Sequence, residues 1–326
     1  MGGWLQAARV LAGAVVLLVA ARAVGAEPAK RHRVTGFEVV QMDCMELATG
    51  RVVHASRSMR LDGAERYLVT DVEAVTNRLV APAALDCQEP EAERLFERSR
   101  FGRALFGATA APYPTRNDGV RRAEVPVQGL FLTADLCPAP GSKFAGRLFA
   151  AVAELAEAQG GPVPMGVAIT GGWLRNHAAR FAELVALQQA GKLALTWVNH
   201  SDAHPFAAGL PDSENFLLTP GLDPSREIEA VEIALLERGQ LPSPFFRFPG
   251  LVSDQRWVDL LLAYSLIPLG SDAWIAYGQE PTAGSVVLVH GNGNEPQGVT
   301  SLLRQLPRVQ ALGPFLPLAQ LFGGPL

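Results

Sequence analysis

The sequence lacks the motifs that mark several common protein classes. It contains no G-x-S-x-G, which excludes a serine-hydrolase nucleophile elbow, and no G-x-x-x-x-G-K-[ST], which excludes a phosphate-binding loop of that kind. No block of lysine and arginine stands out, and the formal net charge is −4, so a nucleic-acid partner is not expected. Only 18% of the 326 residues are charged and 48% are hydrophobic, which allows a large buried core.

Cysteine is scarce, because the chain contains only Cys44, Cys87 and Cys137. Cys44 and Cys87 both lie in the N-terminal third, and in an oxidising compartment they could pair. Buried free thiols are the alternative, and the sequence does not decide between the two. Cys137 has no evident base beside it in the sequence, so a role as a nucleophile is not favoured.

Long apolar runs are absent apart from one near the N-terminus. Residues 10–20 are uniformly apolar, Arg9 precedes them, and the small residues Gly25 and Ala26 follow them. A run this short does not cross a bilayer unaided, so residues 1–26 are predicted to be a secretory signal peptide; an uncleaved N-terminal anchor is the alternative. The mature protein is therefore expected to be exported, either periplasmic or secreted, with no stable membrane span.

The remainder of the chain changes character near residue 125. Residues 27–125 contain strand-like segments and one charged, helix-like segment at 91–102, and they predict a small N-terminal α+β region of unknown role. From 126 to 326, strand-like and helix-like segments alternate, which predicts an α/β domain with a parallel sheet or (β/α) barrel. In such folds the functional site lies at the carboxyl ends of the strands.

Polar residues do follow the predicted strands, as that rule requires. They are Asp135, Asn199, His200, His204, Arg247, Ser271, Asp272, Trp274 and His290. These residues end or follow five different strands, and their convergence on one face is hard to attribute to solvation alone.

The histidine pair indicates a metal site. His200 and His204 are four residues apart, a spacing that zinc-like metals use, although two hydrogen-bonded loop histidines are the alternative. Pro205 disfavours a helix through the pair and biases residue 204 toward extended backbone. The pair is therefore predicted to lie in a loop or a first turn at a strand end.

Three further residues could take part in proton transfer. Asp135 could act as a general base, or simply cap a helix or turn. Arg247 could orient that carboxylate through a bidentate ion pair, or form a surface salt bridge of little energetic worth. His290 could donate a proton to a leaving group, or be a hydrogen-bonded core histidine.

Five segments in chain order resemble the five motifs of the polysaccharide deacetylases, the NodB-homology family or carbohydrate esterase family four. They are LTADLCP, NHSDAHP, FRFPG, SDAW and VLVH, spread over about residues 128–292. The most specific match is H-[ST]-x-x-H-P, formed by His200, Ser201, His204 and Pro205. The resemblance implies a distorted (β/α) barrel. It also implies a metal-dependent hydrolase that removes acetyl groups from N-acetylated or O-acetylated carbohydrate by attack of a metal-bound water; with the predicted signal peptide, this hydrolase is expected to be exported.

The resemblance also implies a role for each site residue. Asp135 would be the catalytic base, His290 the catalytic acid and Arg247 the group that orients the base. His200 and His204 would hold a divalent metal, with zinc as the expected ion. The residues expected to bind substrate are Trp274, Leu288, Gly250 and Asp272, with the first two beside the acetyl methyl group.

Three positions depart from the family pattern. The family's first motif has two adjacent aspartates, the second of which is a metal ligand, and here that position is Leu136. The third ligand is therefore left open, with Asp135, Asp202 or Asp272 as candidates. Gly250 stands where a tyrosine is usual, and Asp272 is offset by one residue from the family's fourth motif.

These departures keep two other functions open. One is a non-catalytic, glycan-binding relative with an incomplete metal site. The other is hydrolysis of a small amide that is not a sugar. The sequence favours the deacetylase, because a pure binder needs neither a base nor an acid. On this interpretation, replacement of Cys137 by alanine is expected to leave metal uptake and activity unchanged.

Overall fold

Two β-sheets organise the chain in the computed structural model, which describes residues 31–88, 95–138 and 143–323. Residues 1–26, the predicted signal peptide, lie outside the described residues. Within the described ranges, no helix combines the length and the apolar character that a membrane crossing requires.

The N-terminal sheet is antiparallel and has the order β4-β3-β2-β1-β5. Its strands are β1 (Val34–Glu46), β2 (Val52–Leu61), β3 (Ala64–Asp71), β4 (Thr76–Val80) and β5 (Leu85–Gln88). Cys44 on β1 lies directly opposite Cys87 on β5, and the two form a disulfide. The pairing that the sequence left open is therefore formed in the structure.

The charged segment after this sheet differs from its prediction. A helix was expected over 91–102, of which residues 91–94 lie outside the described residues; beyond them, a 3-10 turn covers Leu95–Arg98 and helix α1 covers Arg100–Ala108. Ser99 accounts for the late start, because its side chain accepts a hydrogen bond from the Gly102 N–H and caps the new helix.

The second sheet has seven parallel strands in the order β10-β9-β8-β7-β6-β12-β11. They are β6 (Phe131–Leu136), β7 (Val163–Ile169), β8 (Leu193–Asn199), β9 (Pro242–Phe246), β10 (Ile267–Pro268), β11 (Ala273–Trp274) and β12 (Val286–His290). The predicted α/β fold of barrel type is confirmed. The barrel is distorted at its two edge strands, β10 and β11, which are only two residues long.

Helices connect the parallel strands. They are α2 (Gly146–Glu154), α3 (Gly171–Asn176), α4 (Ala178–Gln189), α5 (Pro224–Leu236), α6 (Gln255–Ala263) and α7 (Pro296–Gln310). Asp223 caps α5 by accepting from the Ser225 and Arg226 N–H groups. The helical segment after β7 is divided into α3 and α4, because His177 has a non-helical backbone with φ −126° and ψ 42°.

The side chains of β6 alternate between the two faces of the sheet, as a strand requires. Leu132, Ala134 and Leu136 belong to the cluster that packs against the outer helices. Phe131 packs in the cluster on the opposite, inner face, and Asp135 shares its parity along the strand. Asp135 therefore lies on the inner face at the carboxyl end of the sheet, while Leu136 is part of the hydrophobic core.

A buried ion pair joins the antiparallel sheet to helix α5. Arg57 on β2 forms two hydrogen bonds with Glu232 on α5, at 2.7 Å and 3.0 Å, and both side chains are almost completely buried. Arg57 also donates to the Tyr264 carbonyl at 2.9 Å, beyond the end of α6. This pair holds the antiparallel sheet against the helices that flank β8 and β9.

Candidate active site

Arg247 fixes the position of Asp135. Its guanidinium, just after β9, is completely buried and donates to the Asp135 carboxylate at 2.8 Å and to the Thr133 hydroxyl at 2.7 Å. It also donates to the Leu269 and Gly270 carbonyls, so every acceptor around it belongs to a strand or strand end. The surface salt bridge considered from the sequence is therefore excluded for Arg247.

His200 follows β8 and is buried beside this ion pair. Its Nδ1 lies 2.8 Å from the Arg247 carbonyl, which can only accept, so Nδ1 carries the hydrogen. Its Nε2 then faces the site, 3.5 Å from the Cys137 Sγ and 3.8 Å from the second carboxylate oxygen of Asp135. One backbone contact thus sets both the tautomer and the direction of the ring.

His204 lies in a loop, as predicted, with its ring centroid 4.9 Å from that of His200. The extended backbone expected at residue 204 is wrong, because its φ is +45°. This left-handed turn allows the two rings to meet edge to face. Among the described residues, the buried Nε2 of His204 has no hydrogen-bond partner, which is uncommon for a polar atom in a folded protein.

An aromatic ring covers the outer side of His204. Phe216 packs edge-on against the imidazole, with ring centroids 5.8 Å apart. The same phenyl ring occupies the space beside Gly250, where a Cβ would overlap it, and Gly250 itself has φ +61°. A side chain at position 250 would require the Phe216 ring to move and would be strained at this positive φ, which favours glycine where the resemblance leads one to expect tyrosine.

Cys137 is the site residue that the sequence interpretation set aside. It is buried, and its sulfur lies with one ring nitrogen of His200 and one of His204 in a group whose ligand atoms are all within 4.8 Å of one another. The expectation that no base lies near this thiol is wrong. Histidines that are 63 and 67 positions further along the chain reach it, because β6 and β8 end at the same edge of the sheet.

The charges around Cys137 favour the thiolate. Burial alone would raise the pKa of the thiol, but the fields of His204, His290 and His200 and a hydrogen bond with His200 lower it well below its usual value. Burial would likewise lower the pKa of His200, but the charge and hydrogen bond of Cys137 outweigh burial and raise it. The thiolate form of Cys137 is thus favoured among these imidazole rings.

His290 ends β12 on the opposite side of Cys137. Its Nδ1 contacts the Glu295 carboxylate at 2.8 Å, and the Trp274 indole donates to the same carboxylate oxygen at 2.9 Å. Burial would lower the pKa of His290, but the charge and hydrogen bond of Cys137 and the hydrogen bond of Glu295 raise it well above the usual value. Glu295 was not predicted as a site residue; the only sequence signal for it is its place in the loop after a strand.

The four residues that were predicted to bind substrate lie in different parts of the site. Trp274 packs on His290, with ring centroids 5.7 Å apart, and Leu288 is buried two residues before His290, on the same face of β12. Trp274 and Gly250 also line a groove of about 440 Å³. Asp272 lines another cavity, of about 480 Å³, and its contacts are with Ser285 and Arg122.

The groove beside the histidines is rich in aromatic side chains. Phe206 and Tyr277 are its most exposed members, at 66% and 69% of their surface, and Phe216 and Trp274 lie between them and the buried cluster. Arg116 and Asp212, which pair at 2.6 Å, supply charge at the same groove. The site thus combines a buried polar cluster with an open, partly apolar approach.

The chain matches no model of a known protein family. Among solved structures, it is similar to a family 4 carbohydrate esterase from Bacillus anthracis, with 18% identity and a TM-score of 0.44 over 67% of this chain and 89% of that one. It is also similar to a family 4 pseudoenzyme from Bacillus anthracis (14% identity, TM-score 0.43, 74% and 76% of the two chains). A third is the chitin deacetylase of the fungal pathogen Colletotrichum lindemuthianum (13%, 0.44, 65% and 94%). These similar structures are of the family whose motifs the sequence resembles.

Proposed function

We propose that this protein is an exported, metal-dependent hydrolase that removes acetyl groups from N-acetylated or O-acetylated carbohydrate. The observation that carries the proposal is the convergence of a carboxylate, Asp135, and three histidines, His200, His204 and His290, around one point at the carboxyl end of the parallel sheet. Residues from three separate strand ends supply these groups, and hydrogen bonds orient Asp135, His200 and His290.

The histidine pair fits a divalent metal, and zinc is the proposed ion. His200 donates its far ring N–H to a backbone carbonyl, the arrangement that orients metal-binding histidines in proteins. His204 has a buried ring nitrogen with no partner among the described residues, which a metal would satisfy. A metal bound here would polarise the acetyl carbonyl and lower the pKa of a water molecule.

Asp135 and His290 suit the two proton transfers of acetyl hydrolysis. One carboxylate oxygen of Asp135 is held by Arg247, and the other faces His200, so a free oxygen is available to accept a proton. His290 contacts Glu295 through Nδ1, so its other nitrogen is on the side of Cys137, and we propose that this nitrogen protonates the departing amine or alkoxide. Asp135 and His290 are register partners on the adjacent strands β6 and β12, so the base and the acid can act on one substrate.

The groove supports a carbohydrate as the substrate. Sugar rings present apolar C–H faces together with hydroxyl groups, and this groove offers exposed aromatic faces together with an arginine and a carboxylate. Leu288 and Trp274 are proposed to contact the acetyl methyl group beside His290, and Gly250 to offer its backbone N–H to the carbonyl oxygen. Asp272 is proposed to act further along the substrate, from the adjoining cavity.

Export rests on two features. Residues 1–26 have the pattern of a signal peptide, and the Cys44–Cys87 disulfide is of the kind that persists in oxidising compartments. A periplasmic or secreted location follows from both. We also propose that the mature chain divides near residue 125, into the small N-terminal region and the α/β domain.

Acetate release from N-acetylated oligosaccharides, before and after treatment with a chelator, tests the function. We expect activity that disappears with chelation and returns with zinc. Asp135→Asn and His290→Gln are each expected to lower kcat by about 10²- to 10⁴-fold, the usual contribution of a proton-transfer group. Arg308→Ala, in an exposed pair with Glu280, is the control and should retain full activity.

The alternative, a non-catalytic glycan-binding relative, would give a different result in the same assay. Such a protein would bind the oligosaccharides, and groove substitutions such as Tyr277→Ala would weaken binding. No acetate would be released under any metal condition. That result would overturn the proposed activity.

A further inference from the structure

We propose that Cys137 is the third protein ligand of the metal, so that the site is Cys-His-His, with Cys137 in place of the aspartate that the resemblance leads one to expect. The inference rests on the proposed function in one respect, because it concerns the same metal. It reverses the expectation from the sequence that Cys137 is dispensable. It also implies a preference for zinc and cobalt over magnesium, calcium or manganese, since thiolates select softer metals.

Strand geometry explains why position 137, and not position 136, supplies the ligand. Side chains alternate along β6, so Leu136 enters the helix-packed core while residues 135 and 137 share the inner side. A carboxylate at position 136 in this backbone would be buried among hydrocarbon side chains. The ligand position has therefore moved one residue along the chain, to the first residue beyond the strand.

The backbone around Cys137 is held at three consecutive carbonyls. The Asp135 carbonyl accepts from the Gly291 N–H at 2.9 Å, and the Leu136 carbonyl accepts from the Thr170 hydroxyl at 3.1 Å. The Cys137 carbonyl accepts from the Asn292 side chain at 3.1 Å. The sulfur is thus positioned by a rigid strand end, as a metal ligand has to be.

The distances in the cluster suit a small tetrahedral ion. Zinc–sulfur and zinc–nitrogen bonds of about 2.3 Å and 2.0–2.1 Å place two ligand atoms of a tetrahedral site roughly 3.3–3.8 Å apart. The Cys137 Sγ and His200 Nε2 are 3.5 Å apart, and the ligand atoms of all three residues lie within 4.8 Å of one another. Only His204 would have to move inward, and its Nε2 lacks a partner.

The carboxylates that the sequence offered as the third ligand have other partners. Asp202 is buried and paired with Arg175 at 2.5 Å, with Arg226 close by at 3.9 Å. Asp272 pairs with Ser285 and Arg122 in the neighbouring cavity. Asp135 keeps one oxygen near His200, but Arg247 holds the other, as a base would require.

A nucleophilic cysteine is the competing role for Cys137, with His290 and Glu295 as its base and orienting group. Two observations favour Cys137 as a metal ligand rather than as a nucleophile. A nucleophile needs one imidazole, whereas this sulfur is surrounded by three. The thiol is also only 4% exposed, which is suited to binding a small ion and poorly suited to attacking a polymeric carbohydrate.

Cobalt(II) spectroscopy of the full mature chain tests the proposal without relying on activity. The chelator-treated protein is titrated with cobalt(II), and its near-ultraviolet and visible absorption is recorded. We expect visible bands of tetrahedral cobalt together with a near-ultraviolet sulfur-to-cobalt charge-transfer band. The other two cysteines form a disulfide, so such a band can come only from Cys137. A thiol titration of the denatured, non-reduced chain should count one thiol and so verify this premise.

Three variants make the assignment specific. Cys137→Ser should lose the charge-transfer band completely, and Cys137→Asp should bind cobalt without that band. His204→Ala should lose both sets of bands. Loss of the charge-transfer band in the serine variant, with tetrahedral visible bands retained in the aspartate variant, would support the Cys-His-His site.

The other outcomes separate this inference from the proposed function. Visible cobalt bands without charge transfer in the wild type would overturn the cysteine ligand and leave a metal-dependent hydrolase standing. A charge-transfer band without acetate release would support the ligand and overturn the activity. No cobalt binding at all would overturn both. Acetate release that survives chelation and is abolished by thiol alkylation would also overturn both, in favour of the nucleophile.

Discussion

Replacement of Arg247 by methionine tests how the site is held together. The methionine keeps much of the side-chain volume but removes a buried cation that is 0% exposed. Four acceptors lose their donor: the Asp135 carboxylate, the Thr133 hydroxyl and two strand-end carbonyls. The Asp135 carboxylate is then left buried and charged. No permanently charged group, such as a guanidinium, remains beside it.

The expected loss of stability follows from that stranded charge. Breaking a buried ion pair by removing one partner costs about 3–5 kcal/mol, most of which is the penalty of the unpaired charge that remains. Asp135→Asn should cost a similar amount, because it leaves the Arg247 guanidinium unpaired. In the double variant neither charge remains, so its destabilisation should fall short of the sum of the two single effects by at least about 2 kcal/mol.

Urea unfolding of the four proteins measures this coupling. The measurement is made with the disulfide oxidised and a chelator present, so that metal binding adds nothing to the free energy of unfolding. Acetate release by the metal-loaded proteins is measured in parallel. All three variants should be inactive, including the double variant whose stability is partly restored.

A strictly additive double variant would refute this reasoning, because it would show that Arg247 and Asp135 do not compensate each other. Full activity in Arg247→Met would refute the orienting role separately. Arg247→Lys is an informative intermediate, since it keeps the charge but loses the planar fork that reaches several acceptors at once. It should recover part of the stability and little of the activity.

Three further predictions concern the surroundings of the site. Phe216→Ala should weaken zinc affinity by about 10- to 100-fold in equilibrium dialysis, because the ring that packs on the second metal-binding histidine is lost. Arg57→Met should lower the free energy of unfolding in urea by about 3–5 kcal/mol, because Glu232 is left buried and unpaired. Replacing Cys44 and Cys87 together by serine should lower it by about 2–4 kcal/mol without changing the cobalt spectrum.

The arginine and phenylalanine changes have a matched control or a contradicting outcome. Arg60→Ala, on the same strand as Arg57, removes an exposed pair with Glu65 and should change stability by less than about 1 kcal/mol. Equal effects of the two arginine substitutions would contradict the account of the buried pair. Unchanged zinc affinity in Phe216→Ala would show that the phenyl ring does not position the histidine.

The strand ends were predictable because their signal is local. Short apolar runs followed by polar residues located β6, β8 and β12, and the rule for parallel sheets then brought Asp135, His200 and His290 to one edge. The cap at Asp223 was also visible, since an aspartate before Pro224 is a local helix-start signal. These features need only the residues within one element.

The identity of the cysteine in the cluster was not predictable in the same way. Comparing motifs position by position directed attention to Leu136, whereas the pleat of β6 decides which of residues 135 to 137 point inward. The three histidines near Cys137 lie at the ends of other strands. They are far from it in the sequence, so no local motif indicates that they are neighbours. Glu295 and Phe216 were missed for a related reason. Glu295 lies in the loop before α7 and Phe216 begins a three-residue 3-10 turn, so neither belongs to a segment long enough to show periodicity.

The backbone of the histidine loop shows how tertiary contacts override local preference. A residue before proline favours extended geometry, yet His204 has φ +45° and Ser201 has φ +67°. Left-handed conformations of non-glycine residues cost of order 1–3 kcal/mol each and are found where the surroundings enforce them, often at functional sites. Here they turn the second ring toward the first.

Metal content of the purified mature protein tests the central claim most directly. Elemental mass spectrometry after gentle desalting should find close to one zinc per chain in the wild type and almost none in His204→Ala. No bound metal, even after reconstitution with zinc or cobalt, would contradict the metal-dependent hydrolase. The same metal content in wild type and His204→Ala would contradict the assignment of the site.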